Sequence, residues 1–108
     1  MVISFEDGGT QEPARNESVS VGTTSVTIAE KRSEMRPRKV IVIRNISDDS
    51  TKVISVNFGL QQAVTNTGIV LRQYESVTEC TDAGYECWQD TITAKCAVAG
   101  GTLAIFER

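Results

Sequence analysis

A run of four β-branched residues, Val40–Ile43, constrains the fold of this chain more than any other stretch of its sequence. β-Branched side chains are stiff at χ1 and pack well on a pleated surface, so the run favours a strand over a helix. No polar residue alternates with the apolar ones, a pattern typical of a strand that is covered on both faces. We therefore interpret the run as a central strand with all four side chains in the core.

The rest of the chain is predicted to form short strands separated by turns, because apolar residues alternate with polar ones and no segment shows a helical period. Two of the predicted strands, Gly68–Leu71 and Thr102–Glu107, are expected to be buried. The pattern indicates an all-β fold, a seven- or eight-stranded antiparallel β-sandwich of jelly-roll or related Greek-key type, with a closed barrel as second choice. The predicted strands besides the central one are Ser18–Val21, Thr24–Ile28, Lys52–Phe58, Gly68–Leu71, Glu75–Cys80, Trp88–Cys96 and Thr102–Glu107.

The first seventeen residues differ in composition from the remainder. They combine two adjacent glycines and a proline with many polar side chains, which bury too little apolar surface to order the segment alone. We expect residues 1–17 to form an extended N-terminal arm and residues 18–108 to form a single β-sandwich domain. Val2, Ile3 and Phe5 are candidate interface residues, since a few apolar anchors can hold a polar segment against a neighbour.

Charge and hydropathy exclude two classes of partner. Eleven Lys and Arg against 14 Asp and Glu give a formal net charge of -3, and no basic block is present that could follow a phosphate backbone. No apolar stretch approaches the roughly 18 residues that span a bilayer, and the N-terminus lacks a signal-peptide pattern. We expect neither nucleic-acid nor membrane binding.

Three cysteines, Cys80, Cys87 and Cys96, lie in the last third of the chain. Cys80 and Cys87 flank a predicted loop and could face each other across a hairpin as a disulfide. The alternative is three reduced thiols that act as small hydrophobes. With no histidine and no CxxC pair, the sequence predicts neither a metal site nor a cofactor.

The sequence offers little that could support catalysis. Histidine, the commonest general base, is absent, and so are a GxSxG elbow and a P-loop. The densest acidic group could in principle act as a glycosidase carboxylate pair or hold calcium, but its alternation with hydroxyl residues is typical of a solvated face. We expect no enzymatic activity. The acidic group consists of Glu75, Glu79, Asp82, Glu86 and Asp90.

Three aromatic residues are further candidate interface residues. Tyr74, Tyr85 and Trp88 could form a platform on which a sugar ring stacks. A single tryptophan in an all-β domain more often belongs to the core or to a protein interface, and we prefer that interpretation.

Five motifs follow one another in this sequence: R-K-V-I-V-I-R-N-I-S from Arg38, V-N-F-G from Val56, G-I-V-L from Gly68, E-S-V from Glu75 and G-T-L-A-I-F-E-R from Gly101. As an ordered set they resemble small β-sandwich virion structural proteins of tailed phages and other viruses. In those proteins an RxxxxIxN strand is followed by a GIxLxPGES turn and strand, and a final apolar strand ends in Glu or Glu-Arg. The resemblance covers about residues 18–108, with Gln73 and Tyr74 standing where that pattern has Pro-Gly. The matching segments are Arg38–Ser47, Val56–Gly59, Gly68–Leu71, Glu75–Val77 and Gly101–Arg108.

The resemblance implies a virion structural role: a capsid decoration or cement protein, or a minor capsid component such as a fibre, turret or vertex protein. Such a protein would be made in the host cytoplasm, would be located in the virion, and would assemble without catalysis. We expect a homo-oligomer, with a trimer favoured, that contacts a major capsid or tail protein through the arm. The alternatives are a head-tail or tail adaptor, and a carbohydrate-binding β-sandwich module that attaches to a host glycan.

Overall fold

The computed structural model describes residues 13–108, so the candidate interface residues Val2, Ile3 and Phe5 lie outside the described part of the chain. Residues 13–108 contain eight β-strands and no helix. Every pair of neighbouring strands is antiparallel. The predicted all-β class and antiparallel pairing are confirmed.

The strands are short and follow one another in the predicted order. They are β1 (Arg15–Val21), β2 (Val26–Ala29), β3 (Val40–Asn45), β4 (Ile54–Asn57), β5 (Ile69–Leu71), β6 (Ser76–Cys80), β7 (Ile92–Cys96) and β8 (Gly101–Glu107).

The eight strands form two four-stranded sheets, as in a β-sandwich, and not one closed barrel. The first sheet has the order β1-β8-β3-β6 and the second has the order β2-β7-β4-β5. The two sheets share one core, to which alternate residues of each strand contribute their side chains. Each fully buried aliphatic side chain contributes about 1.5–3 kcal/mol through burial alone. The largest of these are Ile28, Ile41, Ile43, Ile54, Ile92 and Leu103.

The central-strand prediction is correct for only half of its side chains. Ile41 and Ile43 are fully buried between the sheets, whereas Val40 and Val42 point away from the core and are half-buried. The last strand, β8, alternates in the same way. The reason is that each sheet is covered by the other on one face only, so an apolar run does not prove that a strand is covered twice.

Two predicted strand starts and one predicted burial also differ from the structure. β1 begins at Arg15, inside the predicted arm, because its first residues pair with β8. β7 begins at Ile92, four residues after Trp88, which lies in a loop. The strand after Gly68 was expected to be buried, but Ile69 and Val70 are exposed because β5 is at the edge of the second sheet.

Candidate functional site

A buried ion pair connects the strand β8 to the segment that enters β3. Arg38 is fully buried, and its Nε donates a hydrogen bond of 2.6 Å to Oε2 of Glu107. Arg15 donates to the other carboxylate oxygen at 3.1 Å, and Arg32 lies 3.6 Å from Oε2. Burial raises the pKa of Glu107, but the hydrogen bonds from Arg38 and Arg15 more than offset this and hold it below the ordinary value.

The remaining donors of Arg38 bind backbone carbonyls in two other segments. Nη1 donates to the carbonyl oxygens of Trp88 and Asp90, and Nη2 donates to that of Glu30 at 2.8 Å. A guanidinium group whose donors are all satisfied can be held in a dry environment without a charge left unpaired. Arg38 therefore fastens the loops before β3 and β7 to the first sheet.

Asn45 has a comparable structural role at the other end of β3. Its Nδ2 donates to the carbonyl oxygens of Lys52 and Leu71, and its Oδ1 accepts from the amide of Ser47. Asn45 is fully buried. Arg38, Asn45 and Glu107 all belong to the segments that carry the resemblance to virion proteins, and each of them stabilises the fold.

The outward side chains of the first sheet form a surface, called the open face below, that no other segment of residues 13–108 crosses. Its centre is apolar and half-buried: Val40 and Val42 of β3 lie beside Ala104 and Phe106 of β8. A shallow depression of about 400 Å³ in this face is lined only by residues of β1, β3 and β8. The open face consists of Asn16, Ser18, Ser20, Val40, Val42, Arg44, Ser76, Thr78, Cys80, Thr102, Ala104 and Phe106.

The outward side of the second sheet is covered by the loop 59–67, and we call it the covered face. Ser55 of β4 is 1% exposed although it points away from the core, and its Oγ accepts a hydrogen bond of 2.8 Å from the amide of Asn66. Thr93 of β7 is also buried and donates to the carbonyl oxygen of Gln61 at 3.5 Å. Polar side chains on this face therefore satisfy backbone groups of the loop.

Two of the three predicted aromatic residues meet in one pocket. Tyr85 and Trp88 line a pocket of about 410 Å³ together with Phe58, Ile69 and Glu79, and we call it the aromatic pocket. The carboxylate Oε1 of Glu79 accepts hydrogen bonds from the Tyr85 hydroxyl and from the Trp88 amide, the latter at 3.3 Å. The bond to Glu79 raises the pKa of the Tyr85 hydroxyl.

Tyr74 does not join this pocket. It lies near the opposite end of β6, where its amide donates to the carbonyl oxygen of Asn45 and its ring is 6.0 Å from the guanidinium carbon of Arg44. Tyr74 has a positive φ of 67°. It lies in the turn where the virion-protein pattern has Pro-Gly. The three aromatic residues therefore do not form one platform.

The cysteines are free thiols in the structure, so the predicted Cys80–Cys87 disulfide is not formed in it. Cys80 is exposed on the open face, whereas Cys87 and Cys96 are buried. The Sγ of Cys87 donates to the carbonyl oxygen of Glu79 at 3.5 Å. Burial raises the pKa of the Cys87 thiol, and the Glu79 carboxylate raises it further.

Sequence reasoning missed two residues of the aromatic pocket. From the sequence, Glu79 belongs to an acidic group typical of a solvated face, and Phe58 is only the last residue of a predicted strand. The periodicity of β6 was a usable signal, because Glu79 shares the inward side of that strand with Val77.

Among residues 13–108 no group of carboxylates and cysteines is arranged to hold a metal ion, and no helix is long and apolar enough to cross a membrane. No family model, curated protein or solved structure matches the chain.

Proposed function

We propose that this chain is a virion structural protein that acts by protein-protein assembly and without catalysis, as a capsid decoration or cement protein or a minor capsid component. The observation that carries the proposal is the open face, a sheet surface with an apolar centre and a polar rim that no segment of residues 13–108 covers. Extended apolar surfaces rimmed by polar side chains are typical of protein interaction sites. Copies of the chain form a closed ring, with a trimer favoured, in which the open faces contact one another around the common axis.

The order of the strands supports a jelly roll as the finer description of the fold. β1 pairs with β8, β2 with β7 and β3 with β6, so the strands divide between the sheets as nested antiparallel pairs. β4 and β5 complete the nesting. Double-sheet jelly rolls with eight strands occur in viral capsid proteins and in lectins. The fold is therefore compatible with both the proposed role and its carbohydrate-binding alternative, and it does not separate them.

The composition of the open face favours a second copy of the same chain as its occupant. Among the strand residues of this face that the structure describes, Arg44 alone is charged, and Arg108, paired with Val40 just beyond β8, adds a second arginine at its end. The rest is aliphatic, aromatic, hydroxyl, amide or thiol. Several copies of such a face can gather around a common axis without crowding many like charges together. Apolar contacts at the centre with a polar rim are the usual anatomy of an interface.

The size of the open face indicates how strong self-association will be. Four strands spaced about 4.8 Å apart and about six residues long present roughly 400 Å². A standard interface buries about 800 Å² on each partner. Association through this face alone is therefore weak and depends on concentration. We propose that the segment before β1, with Val2, Ile3 and Phe5 as anchors, supplies the firmer contact, with a major capsid or tail protein.

Sedimentation velocity over a range of protein concentrations tests the self-association. We expect the wild-type chain to shift from monomer to a closed oligomer as concentration rises, and Val42→Asp to remain a monomer because a charge in an apolar interface must be desolvated. The matched control is Val70→Asp, since Val70 is exposed on the second sheet and lies outside the open face. This control should associate like the wild type.

Three outcomes would overturn the assembly model. They are a wild-type chain that stays monomeric at the highest concentration, equal loss of association in both variants, and a two-fold dimer in place of a ring. Each variant must first show wild-type unfolding behaviour, so that a loss of association is not a loss of fold.

The virion assignment has a separate test. Mass spectrometry of purified particles should find the chain at a stoichiometric copy number relative to the major capsid or tail protein. A chain that lacks residues 1–12 should fold and be missing from the particles. The deletion stops before Arg15, because β1 begins there. Absence of the wild-type chain from particles, or full incorporation of the truncated chain, would overturn this assignment.

A further inference from the structure

The aromatic pocket is separate from the open face and has a different chemical character. It lies between the end of β4, the start of β5 and the loop after β6, and its volume of about 410 Å³ is within the usual range of small-ligand sites. Phe58, Ile69, Tyr85 and Trp88 supply apolar and aromatic surface. Among the lining side chains, all of which belong to the described chain, Glu79 alone carries a charge.

Glu79 is held in place with one carboxylate oxygen left for a ligand. The Tyr85 hydroxyl and the Trp88 amide both donate to Oε1, which fixes the orientation of the group. Oε2 accepts no hydrogen bond from any residue that the structure describes. Since the pair of donors is neutral, the carboxylate keeps an uncompensated negative charge at the edge of an aromatic surface.

The polar side-chain groups of exposed Tyr85 and partly buried Trp88 are already occupied. The indole Nε1 of Trp88 donates to the carbonyl oxygen of Thr91 at 3.1 Å, and the hydroxyl of Tyr85 donates to Glu79. The amide nitrogen of Asn57, at the rim, donates to the carbonyl oxygen of Gln62 at 3.5 Å. A ligand in the pocket therefore meets aromatic residues and one carboxylate oxygen, and the one side-chain donor left for it is the second N–H of the Asn57 amide at the rim.

This arrangement discriminates between two classes of ligand. A sugar presents many hydroxyl groups and needs both donors and acceptors to replace its bound water. A methylated ammonium group has no hydrogen bonds to replace, is attracted to the faces of aromatic rings, and is further stabilised by a nearby carboxylate. The pocket provides what the cation needs, whereas it offers a sugar only one side-chain donor, the second N–H of Asn57.

We propose that the aromatic pocket binds an organic cation that carries a quaternary ammonium group, with Glu79 as counter-ion and Phe58, Tyr85 and Trp88 as the aromatic surface. This site goes beyond the proposed assembly role and does not depend on it, since it shares no residue with the open face.

The single tryptophan of the chain makes the test specific, because all indole fluorescence comes from Trp88. Choline, titrated into the full chain, should change that fluorescence and saturate. Its neutral isostere, 3,3-dimethylbutan-1-ol, has the same shape without the charge and should bind about tenfold more weakly or worse. A panel of neutral hexoses should give no saturable change.

Glu79→Gln separates the charge from the geometry. The glutamine oxygen can still accept from Tyr85 and from the Trp88 amide, so the fold should persist, but choline affinity should fall about tenfold. Glu75→Gln is the matched control. Glu75 directly precedes the first residue of β6, whereas Glu79 lies near the end of β6 that lines the pocket. It should bind choline like the wild type.

Several results would overturn this proposal: equal affinity for choline and its isostere, no effect of Glu79→Gln, an equal effect of both variants, or saturable binding of a hexose in place of choline. The last result would support the carbohydrate-binding alternative. Because the readout is ligand binding to the free chain, neither success nor failure here alters the outcome of the sedimentation and particle experiments.

Discussion

The outward sides of the two sheets are built on opposite principles. On the covered face, Ser55 and Thr93 are buried polar side chains that bond the backbone of the loop 59–67. On the open face, Val42 and Phe106 are apolar side chains that remain half-exposed in the described chain. One sheet therefore has polar residues hidden beneath its own loop, whereas the other has apolar residues facing outward.

This contrast indicates how each face is completed. A loop carries many backbone polar groups, so a face that the chain covers itself needs side chains that bond them. A face completed by another sheet or another copy needs apolar side chains and few hydrogen bonds. The side chains of the covered face are thus suited to the loop that covers it, and those of the open face are suited to the partner that the proposed assembly role requires.

The largest expected loss of stability comes from replacing Glu107, the carboxylate partner of buried Arg38. Glu107→Gln removes the charge that compensates buried Arg38 and should lower the free energy of unfolding by about 3–5 kcal/mol. Because Arg38 also binds the loop that leads to β7, protection from hydrogen exchange should fall in both sheets together. Loss of protection in the first sheet alone would show that the two faces belong to independent units. The control, Glu17→Gln, changes an exposed partner of Arg15.

The same carboxylate predicts the acid sensitivity of the fold. The pKa of Glu107 is lower in the folded chain than in the unfolded chain, so its contribution is fully present above the ordinary glutamate value. That contribution should be lost as the pH falls through the lower, folded pKa. Denaturant titrations at a series of pH values should show this loss in the wild type and not in Glu107→Gln. Parallel pH profiles for the two proteins would contradict the assignment.

A pair of neighbouring residues in β3 tests the inner and outer sides of one strand. Ile43→Ala should cost about 2–5 kcal/mol, since it leaves a cavity in the core. Val42→Ala should cost about 1 kcal/mol or less, because the open face has no packed layer over it. Chemical denaturation of both variants measures the difference. Equal costs would mean that the open face is as well packed as the core.

A hydroxyl on the covered face should matter more than one on the open face. Ser55→Ala removes the buried hydroxyl that accepts from the amide of Asn66, in a hydrogen bond that is only partly buried, and should cost about 1 kcal/mol. Increased hydrogen exchange of that amide is the more specific readout. An unchanged amide would show that the loop is held by other contacts.

The smallest effect is expected for the counterpart of Ser55 on the open face. Thr78→Ala changes an exposed hydroxyl of β6 and should alter stability by less than about 0.5 kcal/mol. Denaturation in dilute solution, where the chain is monomeric, gives the relevant value. A cost similar to that of Ser55→Ala would remove the distinction between the two faces.

The class of fold was readable from the sequence because period-two alternation and turn residues are local signals. The prediction that all four side chains of Val40–Ile43 lie in the core was wrong. A strand with an apolar outer face and a strand covered on both faces have the same continuous apolar sequence. Only the register between strands, which is non-local, shows that Val42 lies beside Phe106 and faces away from Ile43.

The candidate sites were predictable only in part, for a similar reason. Tyr85 and Trp88 are near in sequence and could be expected to meet, and the structure brings them together. Tyr74 was grouped with them by residue type alone, but β6 separates it from the pocket by its whole length. The role of Arg38 needed its partner Glu107, which is 69 positions away.

The position of β8 in the middle of the first sheet has a consequence for the order of synthesis. β8 is the last of the eight strands to leave the ribosome, yet it pairs with the first, and Arg15 and Glu107 are 92 positions apart. Until β8 is made, β1 has no partner and β3 has an unpaired edge, so the sheet closes late and slowly. Half of the apolar centre of the open face, Ala104 and Phe106, also arrives with β8. A chain without β8 therefore lacks a complete first sheet, and under the proposed assembly role it would reach the folded state and the surface for association in the same step.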